Sequence, residues 1–227
     1  MTSTSAASGP NADLLQRLRH VDTASLSDAN KALHVLPPAI RPLVSGLRMA
    51  GRAVTAVANG DLMSVIGALE IGGTGDVLVV SAGTFDQAVS GELFGTEAFR
   101  RGMSGVVIDG LSRDSAALRK LGMPFYSRGI TPKAPPAMSV PEIQVPLLIG
   151  DVEVLPGDIL VGDDDGIIVG TVAEFEAIVD AAEAIQTREK ALRISIENGY
   201  SLFDSLNFAE HKQRLIAGLD SKLTFEG

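Results

Sequence analysis

The chain has 227 residues, of which 45% are hydrophobic, and its formal net charge is −9. This length supports one substantial core, and the absence of cysteine excludes disulfides, thiolate nucleophiles and cysteine-based metal centres. No run of Lys or Arg is longer than a pair, so the acidic balance argues against DNA or RNA as a partner. An acidic substrate would therefore need a local positive site.

The two ends of the chain differ in composition from its middle. Residues 1–11 are rich in Ser, Thr, Ala, Gly and Pro, and we expect them to be disordered. They lack the basic and apolar segments of a signal peptide, and no apolar run reaches the ~18 residues of a membrane span, so a cytoplasmic protein without a membrane partner is expected. Residues 12–199 are predicted to form one domain. Residues 200–227 form an extension whose apolar density suggests a subunit contact.

The first part of the chain alternates short helices with apolar strands. In chain order, the patterns predict helices at 12–20 and 25–33, a strand at 51–57, a helix at 61–69 and a strand at 77–80. The glycine cluster at 72–76 precedes a strand, whereas nucleotide-binding loops follow a strand and open a helix. We interpret this cluster as a structural turn.

The stretch from Gly91 to Asp114 places a helix, a strand and an Arg-Asp pair next to one another. Ser90 is predicted to cap a helix that Gly102 ends, and an apolar strand follows at 105–109. If this strand runs antiparallel to the helix, the turn 110–112 emerges near the helix N-terminus. Arg113 and Asp114 would then face free backbone N–H groups.

This juxtaposition suggests an anion site beside a cation-binding carboxylate. The positive end of the helix and the guanidinium of Arg113 favour a carboxylate or phosphate, and Asp114 offers hard oxygen ligands to a divalent metal. Two plainer interpretations stay open from the spacing alone. The Arg-Asp pair could be a surface ion pair or a helix cap, and Glu92 could merely complement the dipole of its own helix.

The second part of the chain combines strands, a proline-rich loop and a long helix. In chain order, the patterns predict a helix at 115–121, a strand at 124–128, a loop at 129–141, strands at 145–149 and 152–155, a hairpin at 159–170 and a helix at 172–197. The adjacent Asp163, Asp164 and Asp165 lack the alternating spacing of a calcium loop, so a turn with solvated carboxylates is predicted. The long helix is expected to pack on a neighbouring subunit.

The remaining candidate centres are weak. The three histidines, His20, His34 and His211, form no metal-binding pair at helical spacing. No G-x-S-x-G motif occurs either, so a serine triad has no support.

Six segments together resemble the RraA-like family, which contains 4-hydroxy-4-methyl-2-oxoglutarate aldolases and oxaloacetate decarboxylases. They are TASLSDA at 23–29, GDVLVV at 75–80, SGELFG at 90–95, GVVIDGLSRD at 105–114, PFYSRGITP at 124–132 and PGDILVGDDDGIIV at 156–169. The residues by themselves indicate a mixed α/β protein. The resemblance, which covers most of 23–200, implies a layered β/β/α sandwich of the swivelling-domain kind with a long C-terminal helix, assembled as a homotrimer or homohexamer.

The resemblance also implies roles for individual residues. Asp114 matches the family's ligand to Mg²⁺ or Mn²⁺, and Arg113 matches its pyruvate-binding arginine. The backbone at Gly91, Leu93 and Phe94 matches the amides that hold the substrate carboxylate. Glu92 matches an acidic residue that moves a proton through water. Two further carboxylates, supplied across a subunit boundary in the family, fall on Asp28 and Glu189.

The activity implied is class II aldol cleavage of 4-hydroxy-2-oxo diacids to pyruvate, with oxaloacetate decarboxylation through the same enolate. The alternative is a regulator of the same fold that binds a protein such as a ribonuclease. The family's ribonuclease regulator lacks the aspartate after the arginine. This chain has both Arg113 and Asp114, together with Glu92, which favours an enzyme.

Overall fold

The structure is a computed structural model that describes residues 11–83 and 86–225. Of the segment expected to be disordered, residues 1–10 lie outside the described residues. The chain divides into two compact units, the first ending at Ala182 and the second beginning at Glu183. No helix in the described ranges has the length and apolar character needed to cross a membrane.

The helices are short except for one. They are α1 (Ala12–Leu18), α2 (Thr23–Ala29), α3 (Met63–Ile71), α4 (Glu92–Arg100), α5 (Ser115–Leu118), α6 (Val172–Glu197) and α7 (Phe208–Ile216), with a 3-10 turn at Leu202–Ser205. The bounds of α6 are those predicted from its apolar spacing. Gly199, with φ +93°, adopts the left-handed conformation that follows many helix ends.

The strands form one large mixed sheet and one small hairpin. They are β1 (His34–Val35), β2 (Arg41–Pro42), β3 (Met49–Val57), β4 (Asp76–Ser81), β5 (Ala88–Ser90), β6 (Gly105–Ser112), β7 (Phe125–Ile130), β8 (Glu142–Ile143), β9 (Leu147–Ile149), β10 (Val152–Val154), β11 (Ile159–Gly162) and β12 (Ile167–Gly170). The large sheet has the order β1-β12-β11-β3-β4-β6-β7-β2, with β5 beside β6 and β8 beside β3. Its central part is parallel and consists of β3, β4, β6 and β7 in that order. Strand β5 is parallel to β6.

The parallel strands are buried on both faces, which explains their nearly continuous apolar sequences. Alternate residues such as Leu78, Val80 and Ile108 pack with helices α3 and α4 on one face. The intervening residues, such as Val79 and Val107, pack against the β9–β10 hairpin on the other face. The result is a helix layer, a main sheet and a second, smaller β layer, as the predicted β/β/α sandwich requires.

A third cluster fills the other end of the sheet. Residues of α1, α2 and the start of α6 pack on β11 and β12, with Leu18, Leu26 and Phe175 among the fully buried side chains. Asp163, in the turn between β11 and β12, accepts hydrogen bonds from the backbone N–H of Thr23 at 2.8 Å and from its hydroxyl at 2.7 Å. The prediction that all three aspartates of this turn are solvated is therefore wrong for Asp163, which is only 8% exposed.

The second unit contains the rest of α6, the 3-10 turn and α7. Within it, Arg188 stacks over the ring of Phe225 at 5.4 Å, and Leu206 pairs with Phe225 through a β-bridge. Several of its large apolar side chains are exposed, including Phe203 and Ile216. The contact of residues 200–227 with another subunit stays a prediction.

Candidate active site

Strands β5 and β6 run parallel and end at the same edge of the sheet, where helices α4 and α5 begin. The backbone N–H of Arg113 donates to the carbonyl of Ser90 at 2.9 Å, which joins the two strand ends. The backbone N–H of Glu92, the first residue of α4, donates to Asp114 Oδ2 at 3.2 Å. This contact confirms that the Arg-Asp pair meets the N-terminus of the preceding helix.

The local structure differs from the prediction in two ways. Ser90 does not cap α4, because it is the last residue of β5 and Gly91 occupies the N-cap position without a side-chain bond. Residues 110–112 are not a turn, because β6 continues through Ser112. The three-residue strand β5 was not predicted, since its sequence AVS is too short to show an alternating pattern.

Asp114 adopts an uncommon backbone conformation for a residue with a side chain. Its φ of 56° and ψ of 37° lie in the left-handed region, which Asp tolerates better than most residues. It occupies the N-cap position of α5, yet its carboxylate makes no capping hydrogen bond there. The carboxylate instead faces Glu92 N and Arg113 Nε, the latter at 3.5 Å, and is 42% exposed. The side chain of Asp114 therefore does not cap α5, and it accepts the first backbone N–H of α4 instead.

Arg113 and the first turn of α4 supply hydrogen-bond donors. The side chain of Arg113 is 40% exposed, and its ion pair with Asp114 involves Nε. Leu93 and Phe94 precede the first residue of α4 whose N–H is paired within the helix, which is Gly95, bonded to the carbonyl of Gly91 at 2.9 Å. All three residues line one cleft, and donors of this kind suit a small anion.

A cleft lies at this edge of the sheet. Its walls enclose roughly 310 Å³ of space open to solvent and are formed by Leu62, Ala88, Ser90, Gly91, Leu93, Phe94, Arg113, Asp114 and Ala134. Of the six site residues predicted between Gly91 and Asp114, five line this cleft, and the exposed side chain of Glu92 does not.

The proline-rich loop supplies one wall of the cleft through Ala134. Asp61 fixes this loop, because its carboxylate accepts from the backbone N–H groups of Met138 at 2.7 Å and Ser139 at 3.2 Å. Desolvation opposes ionisation of Asp61, but hydrogen bonds from the backbone of Met63 and of these two residues outweigh it and lower its pKa. At the near end of the loop, Lys133 forms an ion pair with Asp86 at 2.8 Å. Sequence reasoning missed Asp61, because partners 77 residues away leave no local pattern.

Gly91 has no room for a side chain. A Cβ atom there would lie 2.6 Å from Asp114 Oδ2 and 2.8 Å from Arg113 Cγ. Its φ of −169° is extended backbone that any residue adopts, so the requirement for glycine is one of space. The absence of a side chain allows the Arg-Asp pair to lie against the start of α4.

We expect Gly91→Ala to displace Arg113 and Asp114 and to lower the activity of this site by roughly a hundredfold, the usual effect of misplacing reactive groups by about 1 Å. Gly73→Ala is the matched control, because its added Cβ would meet only Asp76 Oδ2, at 3.8 Å. Circular dichroism should show both variants folded. Full activity of Gly91→Ala would show that the packing of this pair against Gly91 is not needed.

The donor set fits a hard divalent cation held mainly by water and substrate. Within residues 11–83 and 86–225, no group of three or more His, Asp or Glu side chains is placed to hold a metal. Asp114 is the carboxylate that lines the cleft, and Mg²⁺ is commonly bound through one or two carboxylates with several waters. Asp114 is therefore the residue that could anchor such an ion.

Within the first unit, Asp28 is not brought to this cleft. Asp28 is on α2, which packs near β12, four strands away from β6 in the sheet, and it forms an ion pair with Lys31. Glu189 is an exposed residue of α6 in the second unit. Participation of Asp28 in this cleft would require a neighbouring subunit.

Fold and site together define a layered α/β protein with a small cleft, lined by an arginine and an aspartate, at the ends of parallel strands. Residues 23–169 match the model of the RraA-like family, described as Aldolase/RraA. The chain belongs to this family.

Similar proteins carry two kinds of name. A Halalkalibacterium halodurans protein provisionally named 4-hydroxy-4-methyl-2-oxoglutarate aldolase is 33% identical over 188 residues, covering 82% of this chain and 90% of that protein. The 4-hydroxy-4-methyl-2-oxoglutarate aldolase of Thermus thermophilus is 34% identical over 148 residues, covering 65% of this chain and 90% of that protein. The crystal structure of Streptomyces coelicolor RraAS2, described as an unusual member of the RNase ES inhibitor RraA family, has a TM-score of 0.71 at 30% identity. It covers 83% of this chain and 99% of that one.

Proposed function

We propose that this protein is a divalent-metal-dependent aldolase that cleaves 4-hydroxy-2-oxo diacids, such as 4-hydroxy-4-methyl-2-oxoglutarate, to pyruvate. Oxaloacetate decarboxylation would follow at the same site. The observation that carries this proposal is the cleft in which Arg113, Asp114 and the first turn of α4 converge. The names of the relatives support the same class of reaction.

In this proposal the substrate carboxylate binds the N–H groups of Leu93 and Phe94 and the guanidinium of Arg113. The planar fork of Arg113 can donate two parallel hydrogen bonds, which orients a 2-oxo acid as well as attracting it. The apolar part of the cleft, including Leu62 and Ala134, then contacts the carbon chain.

Asp114 would hold Mg²⁺ or Mn²⁺ beside the bound acid. When bound, such an ion withdraws electron density from the 2-oxo group and so favours negative charge on the enolate. Asp114 reaches this position because its left-handed backbone turns the carboxylate away from α5 and toward α4. The positive charge of Arg113 favours the same enolate.

Glu92 would handle the proton through an ordered water. In aldol cleavage, Glu92 accepts the proton of the 4-hydroxyl through this water, and C4 becomes a carbonyl carbon. The C3–C4 bond breaks, and the electron pair of that bond forms the enolate. Protonation at C3 then gives pyruvate. In oxaloacetate the bond to the departing CO₂ breaks instead, and the same enolate is protonated.

The direct test is a panel of 2-oxo acids assayed for pyruvate by coupling to lactate dehydrogenase. We expect pyruvate from oxaloacetate and from 4-hydroxy-4-methyl-2-oxoglutarate with Mg²⁺ or Mn²⁺, and its loss after chelation. Spontaneous, metal-catalysed decarboxylation is subtracted with protein-free samples. No turnover of any acid in the panel would contradict the proposal.

The second candidate is a regulator that binds a ribonuclease, and the likeness to a structure from the RNase ES inhibitor family favours it. A pull-down and an RNA-cleavage assay with an RNase E-type enzyme test this candidate. Inhibition of cleavage without any turnover of 2-oxo acids would support the regulator. The presence of Asp114 beside Arg113 favours the enzyme.

We propose further that the active assembly is a homotrimer or homohexamer in which a neighbour contributes Asp28 and Glu189 to the cleft. Mixing subunits tests this arrangement. Asp114→Asn and Glu189→Gln should each be nearly inactive alone. When equal amounts of the two variants exchange subunits, about a quarter of the sites should become active. Such a site combines an intact Asp114 from one subunit with an intact Glu189 from its neighbour, and random mixing gives this pairing at one interface in four.

Glu176→Gln, at another exposed position of α6, is the control and should keep its activity. If Glu189 instead served its own chain, every subunit in the mixture would carry one defect and no activity would return. Light scattering before and after mixing would verify the size of the assembly.

A further inference from the structure

The proline-rich loop between β7 and β8, residues 131–141, is attached at its beginning to the strands that form the cleft. The backbone N–H of Thr131 donates to the carbonyl of Ser112 at 2.9 Å. The N–H of Ala88 donates to the carbonyl of Lys133 at 2.7 Å. Ser112 is the last residue of β6, and Ala88 lines the cleft. The loop therefore starts at the same edge of the sheet as the Arg-Asp pair.

The later part of the loop is attached to the beginning of α3. The backbone N–H of Leu62 donates to the carbonyl of Pro136 at 2.9 Å. The carboxylate of Asp61 accepts from the N–H groups of Met138 and Ser139. The loop thus connects the edge of the sheet with the first turn of α3.

Leu62 and Ala134 form an apolar wall of the cleft on this side. Both residues are half-buried. Leu62 follows Asp61 directly, and Ala134 lies between the two anchored carbonyls of the loop. In the proposed function, Arg113 and Asp114 take the carboxylate and the 2-oxo group of the substrate. The apolar wall is then left for the carbon atoms beyond them.

Asp61 differs from the other anchors of the loop because it is charged. It is only 6% exposed, and both of its carboxylate oxygens accept hydrogen bonds. Oδ1 accepts from the backbone N–H of Met63 at 2.8 Å, and Oδ2 accepts from Met138 and Ser139. Hydrogen bonds to an ionised acceptor are stronger than those between neutral groups. One carboxylate therefore fixes the loop and the first turn of α3, and with them the two sides of the apolar wall.

We propose that Asp61 is a positioning residue that holds the loop against α3, so that Leu62 and Ala134 receive the substituent at C4 of the substrate. The proposal rests on the proposed function and names the part of the substrate that this side of the cleft selects. The wall is apolar, so it favours a methyl group over hydrogen at C4 and disfavours a charged group there. A single methylene group in an apolar pocket changes kcat/KM by roughly 10- to 200-fold.

The test compares 4-hydroxy-4-methyl-2-oxoglutarate with 4-hydroxy-2-oxoglutarate, which lacks the methyl group. We expect the wild type to prefer the methylated acid by roughly tenfold or more in kcat/KM. Asp61→Ala should lower this ratio to about one, mainly through a higher KM for the methylated acid, because the contact with the methyl group is lost. Asp61→Asn keeps the shape but replaces one accepting oxygen by an amide donor, so its ratio should lie between those of Asp61→Ala and the wild type.

Two substitutions in the wall test it with Asp61 intact. Ala134→Val narrows the cleft and should abolish or reverse the preference for the methylated acid. Leu62→Ala widens the cleft and should raise kcat/KM for an acid with an ethyl group at C4. Asp158→Ala is the matched control, because the carboxylate of Asp158 also accepts a backbone N–H, from Leu155 at 2.8 Å, but in the turn between β10 and β11. The control should keep the ratio of the wild type.

Exchange of the methyl protons of pyruvate in D₂O separates selection at C4 from a general loss of structure. Pyruvate has no C4, so Asp61→Ala and the wall variants should exchange these protons at a rate close to that of the wild type. Circular dichroism should show the variants folded. If Asp61→Ala is unfolded, the isosteric Asp61→Asn decides the role of Asp61.

Several results would overturn the proposal. A wild-type ratio retained in Asp61→Ala, with normal exchange of pyruvate, would remove the role of Asp61 and leave the proposed function intact. Equal losses for both acids and for pyruvate exchange would indicate a general structural effect instead. A wild type that cleaves both acids equally well would contradict selection at C4. No pyruvate from either acid with the wild type would overturn this proposal and the proposed function together.

Discussion

Asp114→Asn is expected to abolish metal-dependent pyruvate release, with a fall in kcat of roughly a thousandfold or more, because the neutral amide is a poor ligand for Mg²⁺ or Mn²⁺. The substitution is nearly isosteric. Asn also tolerates the left-handed backbone of this position, where φ is 56°, and its oxygen can still accept from Glu92 N. The loss should therefore come from the changed charge.

Asp151→Asn is the control for Asp114→Asn, since Asp151 is an exposed aspartate in the turn between β9 and β10. It should keep full activity. The melting temperatures of the two variants, measured without metal, should match that of the wild type. Turnover by Asp114→Asn at the wild-type rate would remove Asp114 from the metal site.

Arg113→Lys should lower kcat/KM by roughly tenfold to a hundredfold, although the positive charge is kept. Lysine cannot form the two parallel hydrogen bonds that an arginine fork makes to a carboxylate. Both KM and kcat should change, because Arg113 would bind the acid and also favour the enolate charge. Steady-state assays with oxaloacetate separate the two effects.

Arg119→Lys is the control for this variant, because Arg119 follows α5 closely but does not line the cleft. It should behave as the wild type. Activity of Arg113→Lys equal to that of the control would mean that a point charge suffices and that the fork has no role.

The sequence was sufficient to predict two of the three elements that bring the site together, α4 and β6. The apolar strand before Arg113 and the helix that begins at Glu92 are both defined by local patterns, and the contact from Glu92 N to Asp114 Oδ2 confirms their juxtaposition. The long helix α6 was also predicted, because its apolar spacing continues for 26 residues. Local periodicity was enough in each case.

Features that depend on distant contacts could not be predicted from the residues. The order of the strands in the sheet is set by pairings between remote segments, and only the family resemblance indicated the layered architecture. The left-handed backbone of Asp114 and the loop tether at Asp61 likewise arise from tertiary contacts. Serine commonly caps helices, so the sequence predicts a capping role for Ser90, whereas in the structure Ser90 ends a short strand in the cleft wall.

The central claim is that this cleft forms and stabilises the enolate of pyruvate, and exchange of the methyl protons of pyruvate in D₂O tests it without knowledge of the natural substrate. The proton NMR signal of the methyl group should disappear in the presence of the protein with Mg²⁺ or Mn²⁺. It should persist after chelation and with Asp114→Asn. Persistence of the methyl signal with the metal-loaded wild-type protein would contradict the claim.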